Sequence, residues 1–266
     1  MRVPRLFKRG RRRRPRLLAL LPFRDEMRFL PGLFENLAGQ VDGVIALDDQ
    51  SRDDSRAFVE SQPLTIDLLT APGGTEAGME DGRRHVMLID AVWDHDPDWL
   101  LGIDADERVE REFRQRAKVE ISRSEASGEA ALWIPFRELW DSYDRFRVDG
   151  IWGDKRKACL FRADRDHVVD DRPLHSIWAP WPPASGGDYR TADLRLYHLR
   201  MVLAADRQAR ADRYRHLDPD RDWQAIGYDY LVDEEGLELE QIEPGRGYLP
   251  PGSDRGAGSA AANGPD

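Results

Sequence analysis

Apolar residues in the first hundred positions fall into short blocks divided by polar turns. Leu17-Leu18-Ala19-Leu20-Leu21 predicts a strand that Pro22 closes. Phe29, Leu30, Leu33, Phe34 and Leu37 recur at helical spacing, and Gly39 supplies a stop signal. Val44 to Leu47 predicts a second strand that runs straight into Asp48-Asp49-Gln50-Ser51. A short helix is expected from about Asp53, a third strand over Ile66 to Leu69, and a helix carrying Val86, Leu88, Ile89, Val92 and Trp93. The fourth strand, Trp99 to Ile103, ends in Asp104-Ala105-Asp106-Glu107. Such alternation predicts a layered α/β domain with a mostly parallel central sheet, right-handed crossovers and flanking helices.

Beyond Glu107 the rhythm changes. Arg111 to Ser124 and Val202 to Leu217 read as charged helices. Ala131 to Phe136, Ala158 to Phe161 and Leu194 to His198 read as strands. Between them lie Trp140, Tyr143, Phe146, Trp152, Trp178 and Trp181. Flat aromatic rings can line a binding surface, so these residues are either a ligand platform or a core beneath a long loop.

Both acidic clusters are expected at the carboxyl ends of strands, the ligand edge of an open parallel sheet. Asp104 and Asp106 are expected on one face, because side chains in an extended segment repeat every two residues. Neighbouring carboxylates repel unless a cation offsets them. Oxygen ligands suit Mg²⁺ or Mn²⁺, which readily share a site with phosphates. The expectation is a metal-dependent phosphate or diphosphate site; the plain alternative is an acidic loop.

Composition sharpens this picture at the ends of the chain. The 266 residues are 40% hydrophobic, enough for a sizeable core. The lone Cys159 cannot form an internal disulfide and sits in an apolar run as an inert core thiol. The net charge of −10 conceals nine Lys or Arg and no acid in residues 1–16, so the remainder carries −19. Residues 1–16 read as a disordered basic arm, either a solvated tail or a contact for an anionic membrane surface; specific nucleic-acid binding is not expected. Residues 250–266, rich in Gly, Ala, Ser and Pro, read as a disordered tail. The run Leu17 to Leu21 has five apolar residues, against about 7–15 for a signal-peptide core and about 20 for a spanning helix. The expected location is the cytoplasm, with the arm able to reach the inner membrane face.

Four elements in residues 17–110 resemble a family 2 glycosyltransferase of the GT-A fold. They are Pro22-Phe23-Arg24-Asp25-Glu26; Asp48-Asp49-Gln50-Ser51-Arg52-Asp53-Asp54-Ser55; Arg84-His85 with Ala91; and Asp98 to Glu107. Lys157-Ala158-Cys159-Leu160-Phe161-Arg162, Tyr197-His198 and Arg210-Ala211-Asp212-Arg213-Tyr214 match more loosely. Gln50 stands where the family has Gly, Asp25 and His85 where it has Asn, and Ser176 where a Glu commonly follows the histidine.

The resemblance implies a single GT-A domain. Residues 17–110 would be its nucleotide-sugar half. Residues 111–249 would form a smaller acceptor half with a C-terminal helix. It implies transfer of a sugar, with inversion, from a nucleoside-diphosphate sugar to a glycan, lipid-linked or small-molecule acceptor. A divalent cation would offset charge on the departing diphosphate. Asp106 is the expected metal ligand, with Asp104 near the donor ribose or touching the metal through water. His198 is the expected third ligand and His175 its rival. Asp48, Asp49, Phe23, Arg24, Glu26 and Arg84 are the further candidates for holding the donor. Asp171, with Asp170 beside it, is the candidate base for the acceptor hydroxyl. Two other readings stand: a non-catalytic nucleotide-sugar-binding protein on a degenerate transferase fold, and a sugar nucleotidyltransferase. The second would want a Gly-rich turn after the first strand, and Pro22 to Glu26 has none.

Overall fold

The computed structural model describes residues 14–73, 80–170, 172–180 and 188–248. The first half runs β1 (Leu17–Phe23), α1 (Leu30–Leu37), β2 (Gly43–Asp48), α2 (Ser55–Ser61), β3 (Thr65–Thr70), α3 (Asp81–Ala91) and β4 (Trp99–Gly102). The second runs β5 (Glu107–Val109), α4 (Phe113–Ser127), β6 (Ala131–Glu138), β7 (Arg145–Arg147), β8 (Arg156–Arg162), β9 (Arg190–Thr191), β10 (Leu196–His198), α5 (Ala204–Leu217) and β11 (Leu239–Gln241).

One sheet runs through both halves in the order β3-β2-β1-β4-β8-β6-β10-β5, with β9 beside β6; β7 and β11 make a separate pair. The four strands β1 to β4 are parallel. In β1, Leu17 to Leu21 are all buried. Successive side chains point to opposite faces, so both faces of this strand are covered, which explains an unbroken leucine-rich run in place of alternation. α3 packs on β1 and β2, and α1 packs beside β5. Gly39, at φ 75°, takes the left-handed conformation just past the end of α1, as its position predicts.

Pro22 does not close β1. The strand continues to Phe23, with Pro22 opposite Leu47 of β2. Pairing with β4 has already ended at Leu20 opposite Gly102. Beyond that point β1 is an edge on the β4 side, where a residue without an N–H is tolerated.

The second half adds antiparallel strands. β8 runs antiparallel to both β4 and β6, and β10 lies between β6 and β5. The register places His198 opposite Glu107 on one side and Glu138 on the other, a row of ionisable residues across three strands. Trp140, Trp152, Met201, Ala211, Tyr228 and Leu231 form a second, smaller hydrophobic cluster. Among the described residues, no helix is long and apolar enough to cross a membrane. Most of the basic arm (residues 1–13) and the tail from residue 249 lie outside the described residues.

Candidate functional site

The strand order creates the cleft. The chain winds outward from β1 through β2 to β3, then returns to place β4 on the other side of β1. Ligands in open parallel sheets bind outside the carboxyl ends of the strands at such a reversal. The segments leaving β1 and β4 there are Arg24 to Glu26 and Ile103 to Glu107.

On the β2 side, Asp48 is buried, accepts from the Ser51 amide at 2.9 Å and pairs with Arg56 at 3.3 Å. Asp49 is held between two guanidiniums: Arg84 Nη2 at 2.8 Å and Arg24 Nη1 at 3.8 Å. Arg84 also approaches Asp81 at 3.5 Å. The loops after β1 and β2 are stitched together. The Asp25 amide donates to Ser51 Oγ, the Arg52 amide to Asp25 Oδ1, and the Glu26 amide to Ser55 Oγ. Gln50, where the resemblance expects Gly, adopts φ 61°, so the backbone there does take the left-handed form that favours glycine. Phe23 differs from expectation. At 4% exposure it belongs to the hydrophobic core, at the end of a strand whose two faces are covered, and it offers no face to a base.

Asp104 and Asp106 also differ from expectation. β4 ends at Gly102, and the acids follow in a turn. Glu107 closes that turn twice: its amide donates to the Asp104 carbonyl, and its carboxylate accepts from the Asp104 amide, both at 3.0 Å. The buried Arg108 guanidinium braces it by donating to the carbonyls of Ala105, Glu107 and Phe29 at 2.7–2.8 Å. The two carboxylates therefore leave the turn toward different partners. Lys157 Nζ lies 2.8 Å from Asp104 and 2.6 Å from Glu107. Arg200 Nε lies 2.6 Å from Asp106, and its Nη2 bonds Glu26.

His198 Nε2 lies 3.3 Å from Asp106 and 3.2 Å from Arg210 Nη1. Its Nδ1 bonds Glu138, which Lys155 also grips. These pairings set the protonation of the cluster. Burial raises the Asp106 carboxyl, but Arg200 and His198 outweigh it and hold the group well below its usual range. Burial alone dominates at Glu107, pushed up to about 8, and at Glu26, pushed up to about 7. Burial lowers Lys157, but Asp104 and Glu107 reverse the effect and keep the ammonium charged.

Asp170 is clamped by Arg172 Nε at 2.8 Å and Nη2 at 2.6 Å, and it accepts from the Ile177 amide at 3.1 Å. Burial raises its carboxyl, but these hydrogen bonds prevail and lower it, which makes it a poor base. Asp171, the expected base, lies outside the described residues. Ser176, in place of the commoner Glu, donates to the Asp170 carbonyl at 2.6 Å and meets His85 Nδ1 at 3.0 Å. His175 turns its Nε2 to Tyr228 Oη at 3.2 Å, and Tyr228 donates to Asp218 at 2.7 Å. Of the two readings of the aromatic stretch, burial favours the core one. Trp140, Phe146, Trp152 and Trp178 are buried, so they are core, and Trp181 lies outside the described residues.

Lys157, Arg200, Arg210 and Glu138 are site residues that the acid-led reading of the sequence passed over. Arg200 follows His198 by two positions, and Lys157 opens a recognised strand motif; both were legible as neighbours of strand ends. Glu138 carried no local signal, because only the β6–β10 register brings it to His198.

The expected metal-ligand set fits poorly. Asp104 is paired with Lys157 and Asp106 with Arg200, while His198 lies between the carboxylates of Asp106 and Glu138. Among the described residues, no three His, Cys, Asp or Glu side chains converge on one point as metal ligands. Across the Glu107-closed turn, Asp104 and Asp106 each engage a different basic side chain.

No family model matches the chain. Two curated relatives, uncharacterized proteins of Mycobacterium tuberculosis and Mycobacterium bovis, are each 24% identical over 263 residues, which covers 88% of this chain. The chain spans 63% of the length of those relatives. Among solved structures, S. aureus TarS aligns over 82% of this chain and 42% of its own at 13% identity, with a TM-score of 0.46. TarS 1–349 in complex with UDP-GlcNAc aligns over 47% and 35% at 18% identity and a TM-score of 0.36. Glucosyl-3-phosphoglycerate synthase from Mycobacterium tuberculosis, in complex with Mn²⁺, UDP and glucosyl-3-phosphoglycerate, aligns over 47% and 44% at 15% identity and a TM-score of 0.33.

Proposed function

We propose that this chain transfers a sugar from a nucleoside-diphosphate sugar to an acceptor hydroxyl. One observation carries the reading: the Asp49–Arg84 pair and the Asp104-to-Glu107 turn stand at the carboxyl ends of β2 and β4, the neighbours of β1 on its two sides. The four motifs of the resemblance supply these same segments. In this reading Asp49 accepts hydrogen bonds from the nucleoside, with Arg84 and Arg24 fixing its carboxylate. Asp104, on the acidic turn, faces the donor's ribose side.

The reaction is a single displacement with inversion. The bond from the anomeric carbon to the diphosphate oxygen breaks, and its electron pair leaves on that oxygen. The acceptor oxygen forms the new bond, and its proton passes to a base. Catalysis then consists of holding the two substrates in line and stabilising the negative charge that grows on the leaving group.

The test is incubation of the full chain with a panel of nucleotide sugars, with release of free nucleoside diphosphate as the readout. Release that Asp49→Ala abolishes supports the reading. Saturable binding of a nucleotide sugar without release, alone or with any acceptor tried, favours the binding-protein alternative.

A further inference from the structure

We infer that the diphosphate of the donor is held by three basic side chains, Lys157, Arg200 and Arg210, without a divalent cation. The inference rests on the nucleotide-sugar reading above and specifies how that site meets its ligand's charge.

Three separate elements supply the three cations. Lys157 comes from β8, Arg200 from the segment after β10, and Arg210 from α5. Lys157 lies 2.8 Å from Asp104 and Arg200 2.6 Å from Asp106, and Arg210 Nη1 lies 3.2 Å from His198 Nε2. A metal ion reaching Asp106 would meet Arg200, which already holds Oδ2 of that carboxylate. It would then sit beside positive groups in a buried setting, where like charges repel most strongly.

Donor capacity points the same way. An ammonium has three N–H donors and a guanidinium five, so both can hold a carboxylate and still offer hydrogen bonds to an anion. Arg210 shows such an unfilled donor directly. Its Nε is buried and has no hydrogen-bond partner. A buried unpaired donor is costly unless a ligand completes it. Phosphate oxygens suit guanidinium groups, which can bind them two at a time. As the glycosidic bond breaks, these fixed positive groups stabilise the charge arriving on the diphosphate in the way a metal ion otherwise would.

The arrangement also explains why the acids are present. Asp104, Asp106, Glu107 and Glu26 hold long basic side chains in place, so the cations are oriented before the ligand arrives.

Calorimetric titration of the full chain with UDP, GDP, ADP and dTDP tests this, first in excess EDTA and then with MnCl₂ or MgCl₂. One diphosphate is expected to bind in EDTA, with its Kd changed less than about threefold by metal. Arg210→Gln is expected to weaken that diphosphate about tenfold or more. Binding of the corresponding nucleoside, which lacks phosphate, should be unchanged in the same variant and so reports that the fold and the Asp49 wall are intact. Arg200→Gln and Lys157→Gln serve as parallel variants should one fail to fold. Diphosphate binding that requires Mn²⁺ or Mg²⁺ overturns the inference and leaves the transferase reading standing. Metal-free binding that is indifferent to all three variants overturns the assignment of the side chains. No binding of any nucleotide under either condition overturns both readings.

Discussion

Arg84, in the first turn of α3, donates from Nη2 to Asp49 Oδ2 at 2.8 Å at the end of β2. Both groups are largely buried, with side-chain exposures of 9% and 14%, so the pair fixes its geometry against little competition from water.

If Asp49 reads the nucleoside, removing either partner weakens nucleotide binding. Asp49→Ala is expected to raise the Kd for the preferred nucleoside diphosphate on the order of tenfold or more, since a buried charge-assisted contact is lost. Arg84→Ala should do so through Asp49, and a double-mutant cycle in calorimetry should then give a non-zero coupling. Fully additive effects would show that the two do not act on the ligand together.

Gly102, the last residue of β4, has no room for a side chain. An added Cβ would lie 2.2 Å from the Trp178 ring. Gly102→Ala is expected to destabilise the protein by about 1–3 kcal/mol, the usual cost of overpacking, measured as a fall in the urea midpoint. The same substitution should cost less in a Trp178→Leu background, because the two positions share one contact.

Arg147 stacks on Trp140 and Trp152, with its guanidinium 4.5 and 5.2 Å from the ring centres, and grips Asp149 through two bonds of 2.8 Å. Only a planar fork does both at once. Arg147→Lys keeps the charge, yet it is expected to destabilise the protein by about 1–2 kcal/mol in equilibrium unfolding. A stability equal to that of the parent would mean that the charge alone suffices.

Acid should weaken the fold through buried histidines. Burial pushes His85 down to about 3, and it pushes His167 and His175 down to about 4. An unfolded chain protonates histidine near pH 6.5, so between about pH 6.5 and 4 it binds protons that the folded chain refuses. Stability from these groups is complete above that window and is lost as pH falls through it. Glu107, Glu26 and Asp81, with carboxyls raised by burial to about 8, 7 and 6, act oppositely and lose stability as pH rises toward those values. Comparing unfolding midpoints at pH 7 and 5 for the parent and His85→Asn isolates the histidine part. The variant should show the smaller fall.

Much of the first half was legible because its signals are local. The strand blocks, the helical spacing of Phe29 to Leu37 and the acid-bearing strand ends all appear close to where hydrophobic period and turn chemistry put them. Errors arose where neighbours in space decided. Pro22 stays in β1 because β4 stops short, and Phe23 turns into the core. Asp104 and Asp106 sit in a turn that Glu107 closes, beyond the end of β4. Between the platform and core readings, burial favours the core for Trp140 and Trp152, which residues from α5 and the 228–231 segment pack.

By itself the sequence determined an α/β chain with a parallel first half and acids at its ligand edge, because strand and helix periods, and the turns between them, depend on residues a few positions apart. Only the tertiary structure decided what those acids touch. Glu138, His198 and Glu107 meet through strand register across a sheet, and Lys157, Arg200 and Arg210 reach Asp104, Asp106 and His198 from a strand, a loop and a helix far apart in the chain. Side-chain electrostatics at a few ångströms depends on these long-range pairings, and no local pattern of residues encodes them.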